Sequence, residues 1–567
     1  MKTAGKIYKV YSKYKVSVLL LLIGIPVISK LDVFSQTMLG KIVDNISDAD
    51  LWVSAAGIYA AAVAILFAVK QGYAIVEQRL SFKVTYDLRD AIAKKVLHMS
   101  SESLNRHSTD DILQMWNEDV RDIQTISVQS IFNFLILTIS AAIALIELGR
   151  ISVYFPVIAL GVNILAIMPV KILGRNNKNK SQNKRNSQIA MNEKFYTILN
   201  AIRLIKNFGK EEKEIQEFEQ LNHKFVDDKL AFSVSARIYK SVVNAVNAIA
   251  PTVILLIANF QIRDGYMSIG DIVLATSLLE TISKPFSKGG NFLVELKGIG
   301  FKFDHLFQFL EQENEQSTGK SLELSKACSV EFRNVSFTMN ENSIVDNISF
   351  SVGPGEKVAI VGESGSGKTT LNNLLLRLYS PTAGQILVEN NNVGDLNLQS
   401  YRGNIYYSQS NTYVANASIM ENLTLLGAKE DQCIQAAKEI QFHDEICMMP
   451  EGYHTIVDAS GANISGGQKK KMAIIRALTH QKPLYVFDEI TRGIDEKTAV
   501  AIMEYLVKRI TATVIFTMHN FYSIEHMDKI IVMQSGKIIA QGNHADLYQH
   551  CSYYRELFDN RKRIGNG

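Results

Sequence analysis

The chain has 567 residues, of which 47% are hydrophobic and 20% charged, with a formal net charge of +4. That length is too great for one hydrophobic core and calls for several domains. The near-balanced charge excludes the global basic field of a nucleic-acid binder.

Long apolar runs separated by basic stretches fill the first 310 residues. A bilayer crossing takes about 20 mostly apolar residues. Six candidates follow: about 16–37, 54–76, 128–148, 152–173, 241–261 and 268–292. Residues 1–15 carry five lysines and no acid, and 171–190 carry six basic residues and no acid. The connection 41–50 is mostly acidic. Basic flanks alternating with weakly charged ones predict both termini on the cytoplasmic side. A secretory signal is the other reading of a basic start before an apolar run. It fails because no small-residue cleavage site follows and five further spans do. The long connections 78–125 and 174–240 keep helical apolar spacing, which predicts helices projecting well beyond the membrane.

Ionisable residues inside spans are costly and often functional. Glu280 and Lys284 are spaced as a favourable i,i+4 pair, whereas Lys30 and Asp32, at i,i+2, do not face each other. Contact with a substrate competes here with snorkelling or structural pairing.

The polar segment 311–327 reads as a linker, and from 328 to 567 the pattern becomes strands, glycine turns and helices. The cysteines Cys328, Cys433, Cys447 and Cys551 all fall here, without metal-ligand spacing, and read as reduced structural thiols. In "VAIVGESGSGKTT" an apolar strand runs into Gly362, Glu363, Ser364, Gly365, Ser366, Gly367, Lys368, Thr369 and Thr370, and an apolar helix follows. This is a P-loop in its strand–loop–helix context. Its glycines let backbone N–H groups converge on phosphate oxygens at a helix N-terminus. Lys368 would reach the β- and γ-phosphates, and the Thr369 hydroxyl would ligate Mg²⁺.

A second buried strand, "PLYVF", ends in Asp488 and Glu489. An acidic pair after a strand is more often a surface turn. With a P-loop in the same chain, Asp488 reads as the metal ligand and Glu489 as acceptor of a proton from the attacking water. Ser465, Gly466, Gly467 and Gln468 open a further amphipathic helix suited to a phosphate, so one chain carries two phosphate cradles.

"GESGSGKT", "ISGGQ" and "FDE", in this order and spacing, resemble the ATP-binding cassette (ABC) exporters, as a half-transporter with the membrane domain first. "TVIFTMHN" resembles the family's switch segment, which makes His519 the switch histidine. "IYYSQSN" resembles the Q-loop, which makes Gln409 its glutamine and a third Mg²⁺ contact. The segments 106–113 and 201–215 resemble those that carry coupling helices. The resemblance implies a membrane α-helical domain of six long helices followed by an α/β P-loop ATPase, in a dimeric, domain-swapped exporter. Each ATP would lie between one copy's P-loop and the other's Ser-Gly-Gly-Gln helix, with Asp495 at the seam. That accounts for the duplicate cradle. A homodimer is the favoured expectation, and a heterodimer with a degenerate partner the alternative.

Three departures stand out. Met339 occupies the position where the family stacks an aromatic on adenine, Asp458-Ala459 replaces a Gly-Glu pair, and Thr491-Arg492-Gly493 precedes Asp495. The expected function is ATP-driven export of a peptide or amphipathic small molecule from a bacterial inner or plasma membrane. Import by the same fold, lipid flipping, a soluble ATPase and an ATP-gated channel are the competing readings.

Overall fold

The computed structural model describes residues 11–263, 267–315, 318–339, 341–458 and 463–565. Ala459 and the first ten residues, both used in the sequence reading, lie outside that set. The chain divides into two compact units, Met1–Leu97 with His107–Gln312, and His98–Arg106 with Glu313–Gly567.

The first unit is helical. Its long helices are α1 (Lys15–Asp44), α2 (Ala49–His98), α3 (Thr109–Ile151), α4 (Tyr154–Asn207), α5 (Glu211–Asn247), α6 (Ile249–Arg263) and α7 (Ile269–Leu310). At 1.5 Å per residue α2 and α4 reach about 75–80 Å. A hydrocarbon core is only about 30 Å thick. The two long charged connections are therefore continuous extensions of apolar helices. Among the described residues α1, α2 and α3 are apolar and long enough to cross a membrane, and shorter apolar stretches run over Tyr154–Leu165 and Asn244–Ala258. The run 241–261, read from sequence as one span, is interrupted at Ala248 between α5 and α6. Pro251 has no N–H to give to the carbonyl four residues back, so the helix restarts there with proline in its first turn. Within α3 the segments Met115–Asp119 and Thr125–Ser130 are π-helical.

Helix contacts in this unit use small residues. Ala144, Ala159, Ala250, Ala258 and Ala275 are buried together with Phe155, Ile254 and Leu278. The closest approach joins the end of α1 to the start of α7. A Cβ on Gly270 would stand 2.2 Å from the Gly40 carbonyl oxygen. The Gly270 N–H donates to Asp44 Oδ1 at 2.7 Å, and Ser268 Oγ donates to Asp44 Oδ2 at 2.8 Å. The acid in the 41–50 connection thus caps α7.

The second unit carries two sheets. Strands β1 (Val330–Met339), β2 (Asn342–Val352), β4 (Ala383–Val388) and β5 (Asn391–Asn392) form an antiparallel sheet in the order β2-β1-β4-β5. Strands β3 (Lys357–Gly362), β6 (Ile405–Ser408), β7 (Leu484–Asp488), β8 (Thr513–Met518), β9 (Lys529–Gln534) and β10 (Lys537–Gly542) form the order β10-β9-β3-β8-β7-β6. All pairs from β9 to β6 are parallel. Strands β7 and β8 are buried along their whole length, as parallel strands covered on both faces must be. Helices α8 (Lys368–Leu375), α9 (Gly466–Thr479) and α10 (Glu496–Arg509) flank this sheet. The crossover order reverses around β3 and β8, and ligands of open α/β sheets gather at the carboxyl ends of such strands.

Candidate active site

Strand register brings the separate motifs together. Val361 pairs with Met518, Asp488 with Thr517, and Ser408 with Phe487. The P-loop, Gln409, the Asp488–Glu489 pair and His519 therefore leave the sheet at one edge. None of these neighbours is close in sequence.

The loop after β3 folds as its glycines dictate. Gly367 caps α8 with φ +98°, a left-handed conformation that glycine adopts without a Cβ clash. A Cβ on Gly362 would stand 2.3 Å from the Met533 carbonyl oxygen of β9. Lys368 is buried, and its ammonium donates to the carbonyls of Gly362 at 2.9 Å and Glu363 at 2.7 Å. Ser366 is buried beneath the loop, its Oγ 3.4 Å from the same ammonium. Ser364 Oγ lies 3.2 Å from His519 Nε2. Thr370 continues α8. Asn372, which no motif singles out, donates to Thr517 Oγ1 at 2.7 Å and pins α8 to β8.

Asp488 is buried, and Thr369 Oγ1 donates to its Oδ2 at 3.2 Å. Its Oδ1 is buried with no hydrogen-bond partner among the described residues. Burial pushes this carboxyl above its ordinary range, with the neighbouring Glu489 charge acting in the same direction. An orphaned buried carboxylate oxygen beside a threonine hydroxyl is a hard-oxygen donor set of the kind Mg²⁺ takes, so these residues fit the metal. Gln409, exposed just past β6, is level with Asp488 across the two strands.

Glu489 has φ +49°, in the left-handed region that non-glycine residues avoid. Its N–H donates to the Thr517 carbonyl at 2.9 Å, and its side chain is mostly covered. Arg492 Nη1 donates to Glu489 Oε2 at 2.9 Å. The departure Thr491-Arg492-Gly493 thus places a guanidinium on the carboxylate read as the base. Asp495 caps α10 by accepting from the Thr498 N–H at 3.0 Å, and that bond holds its carboxyl below its ordinary range. A cavity of about 890 Å³ opens beside these groups, with Glu363, Glu489, Arg492, His519, Tyr522 and Phe558 in its wall.

The second cradle is built separately. Ser465 caps α9 in a capping box: Gln468 N–H donates to Ser465 Oγ at 3.1 Å, and Ser465 N–H donates to Gln468 Oε1 at 2.8 Å. Gly466 has open space where a Cβ would go, whereas a Cβ on Gly467 would stand 3.1 Å from the Gly493 carbonyl oxygen. The start of α9 therefore packs on the Arg492–Gly493 turn. One and a half turns along, Lys470 is buried and donates to the Gln409 carbonyl at 3.0 Å. Burial pulls its ammonium down to about 8, against the opposing pull of Asp488 and Glu489. Sequence reading passed over Lys470, because a run of three lysines after a helix start looks like a solvated face.

Met339 is half-buried at the end of β1, packed on the cluster that holds Phe337 and Val345. In the helical unit Lys284 Nζ lies 3.3 Å from Glu280 Oε1. Asp32 pairs with Lys70 of α2 at 3.0 Å, and Lys30 is exposed. Gln36 bonds Thr281 at 3.1 Å and Ser277 at 3.2 Å, a polar junction between α1 and α7.

Two family models match the chain. The ABC transporter transmembrane region covers residues 18–286, and the ABC transporter model covers residues 345–492. The mitochondrial iron-sulfur clusters transporter ATM1 of Chaetomium globosum is 31% identical over 364 residues, 62% of this chain. The chain spans only 60% of that relative's length. A putative multidrug export ATP-binding/permease protein of Staphylococcus aureus is 27% identical over 492 residues, 85% of this chain and 84% of the relative. Among solved structures, a bacterial Atm1-family ABC exporter with ATP bound superposes with a TM-score of 0.78. It covers 96% of this chain and 98% of its own at 21% identity, which establishes the fold.

Proposed function

The chain belongs to the ABC transporters, with membrane and ATP-binding regions fused in one polypeptide, and we propose that two copies of it form an ATP-driven exporter. The observation that carries this reading is the presence of two exposed glycine-rich helix starts in one chain. The P-loop is wired to Asp488 and His519, while Ser465–Gln468 bond to each other and pack on Gly493. A second copy turned head to tail would bring each Ser465 helix onto the other's P-loop and complete two equivalent sites.

In such a site the N–H groups of Gly365–Thr369 and the Lys368 ammonium receive the phosphate oxygens of ATP. Lys368 exchanges its carbonyl partners for phosphate, so the loop is already shaped before substrate arrives. Thr369, Asp488 and Gln409 would hold Mg²⁺, which when bound shields phosphate charge during transfer. Glu489 orients the attacking water and takes its proton. His519, held by Ser364, stands where the γ-phosphate oxygens arrive and stabilises them by donation. Ser465 and the first N–H groups of α9 from the other copy close the site. ATP favours the closed pair and is destroyed there, so binding and hydrolysis alternate the access of the helical unit.

The cargo we propose is amphipathic: a hydrophobic small molecule or peptide carrying a charged or hydrogen-bonding group. The long apolar helices carry Glu280–Lys284, Asp32–Lys70 and the Gln36–Ser277–Thr281 junction as the polar features it would meet. Of the two relatives' names, multidrug export fits an organic amphiphile, and iron-sulfur cluster transport names a different cargo. The test is ATPase stimulation of lipid-reconstituted protein across hydrophobic cations, peptides and lipids, followed by uptake of the stimulating compound into inside-out vesicles. ATP-dependent uptake supports export. Uptake only in right-side-out vesicles overturns it, and ATPase that no compound stimulates overturns the cargo class.

A further inference from the structure

Lys470 is 4% exposed, an unusual place for a lysine that carries no role in the motif it follows. Its ammonium does not reach a carboxylate within ion-pair distance among the described residues. It donates to the backbone carbonyl of Gln409 at 3.0 Å, in the field of Asp488 and Glu489. Six residues on, Arg476 is buried on the same helix. It donates to the carbonyls of Tyr413 at 2.7 Å and Asn422 at 2.7 Å, and to Asn422 Oδ1 at 3.1 Å. Helix α9 therefore grips the segment that follows β6 at both ends, through two buried cations. At its exposed N-terminus the same helix presents Ser465–Gln468.

A helix is stiff over two turns, and Lys470 sits only about 7–8 Å along the axis from Ser465. A small rotation or shift of the α9 start is thus delivered directly to the Gln409 carbonyl. The side chain of Gln409 leaves the sheet level with Asp488, in this copy's own ATP site, while the α9 start faces the site completed by the other copy.

We propose that Lys470 is a positioning residue that links the two ATP sites of the pair: engagement of the α9 start by nucleotide on the other copy sets the placement of Gln409 in this copy. The inference rests on the shared-site reading given above. Arg476 anchors the far end of the segment, and Lys470 is the movable grip nearest the chemistry.

The test uses full-length protein in lipid nanodiscs, with ATPase rate measured against ATP concentration for wild type, Lys470→Met and Lys470→Arg. Methionine keeps the length and apolar stem and removes the donor. Arginine keeps a cationic donor. Wild type is expected to respond cooperatively to ATP. Lys470→Met is expected to lose that cooperativity and about ten-fold in kcat, with half-saturation changed less than about two-fold. Lys470→Arg is expected to restore cooperativity. Lys470→Gln, whose amide is too short to reach the Gln409 carbonyl, serves if the methionine variant does not accumulate as a folded pair, and must lose cooperativity likewise. Retained cooperativity in the donor-free variant overturns the proposal, as does failure of arginine to restore it. A wild type that is a monomer with non-cooperative ATPase overturns the shared-site reading and this inference together. A cooperative wild type with an equally cooperative Lys470→Met overturns the inference alone.

Discussion

Arg492 Nη1 lies 2.9 Å from Glu489 Oε2, an i,i+3 pair across the turn that leaves β7. The guanidinium is 71% exposed and the carboxylate only 15%, so the arginine is the partner that can leave. One oxygen of the proposed base is occupied until it does. An exposed pair of this kind is worth about 0.2–1 kcal/mol, a factor of about 1.4 to 5 in an equilibrium. Arg492→Ala is therefore expected to raise basal ATPase up to about five-fold. Salt screens exposed pairs, so added salt should stimulate wild type and leave the variant flat. A variant slower than wild type would mean that Arg492 supports the turn rather than restrains the base.

Glu489→Gln keeps the P-loop, Thr369 and Asp488, and removes the proposed proton acceptor. ATP binding is expected within a few-fold of wild type, with turnover down by about 10²–10⁴. Lys368→Ala is expected to lose binding instead, because its ammonium also ties the loop carbonyls together. Fluorescent-nucleotide binding and phosphate release, measured side by side, separate the two effects. Near-normal turnover in Glu489→Gln would remove the glutamate from the mechanism.

Asp488 sits in a buried position that disfavours its charged form. A carboxyl raised above its unfolded value costs stability as pH rises through its folded value, and neutralising it removes that cost. Asp488→Asn is expected to raise the Tm of nucleotide-free protein by about 2 °C or more, the shift produced by roughly 1 kcal/mol in a domain of this size. The same variant is expected to lose the added protection that Mg²⁺ gives with ATP. Thermal scans with and without chelator check both; a lower Tm would assign Asp488 to holding the loop in place.

The thiols should react in an order set by burial. Burial pushes Cys328 up to about 12 and Cys433 up to about 11, so both stay protonated as pH rises from 7 to 9. Cys447 is exposed. Alkylation read by peptide mass spectrometry should label Cys447 first, with Cys328 and Cys433 labelled only on unfolding. Early labelling of Cys328 would show that the β1 end opens in the native state.

Glu280 and Lys284 form their pair on the accessible side of α7, with side chains 76% and 41% exposed in the single chain. Double alanine replacement is expected to alter the ratio of cargo-stimulated to basal ATPase. An unaltered ratio across the stimulating compounds would take the pair out of the transport path.

The P-loop, the acid pair after β7 and the capped start of α9 were legible in the amino-acid order, because each is a local device. A strand, a glycine turn and a helix start follow one another within a dozen residues, and their spacing alone aims N–H groups or carboxylates. Long apolar helices were legible for the same reason, since periodicity is a local property. The break at Ala248 was overlooked although Pro251 advertises it. Partnership between distant residues was not legible. Asp32 finds Lys70 rather than a residue of its own helix, Arg492 finds Glu489, and Lys470 finds the Gln409 carbonyl. Each depends on helix phase and on the register of β6, β7 and β8, which a run of letters leaves open. Sequence by itself determined the local devices: the P-loop, the acid pair and the capped helix start. Tertiary structure decided which cations restrain or place them, because a charge acts over a few ångströms in space, whatever its distance along the chain.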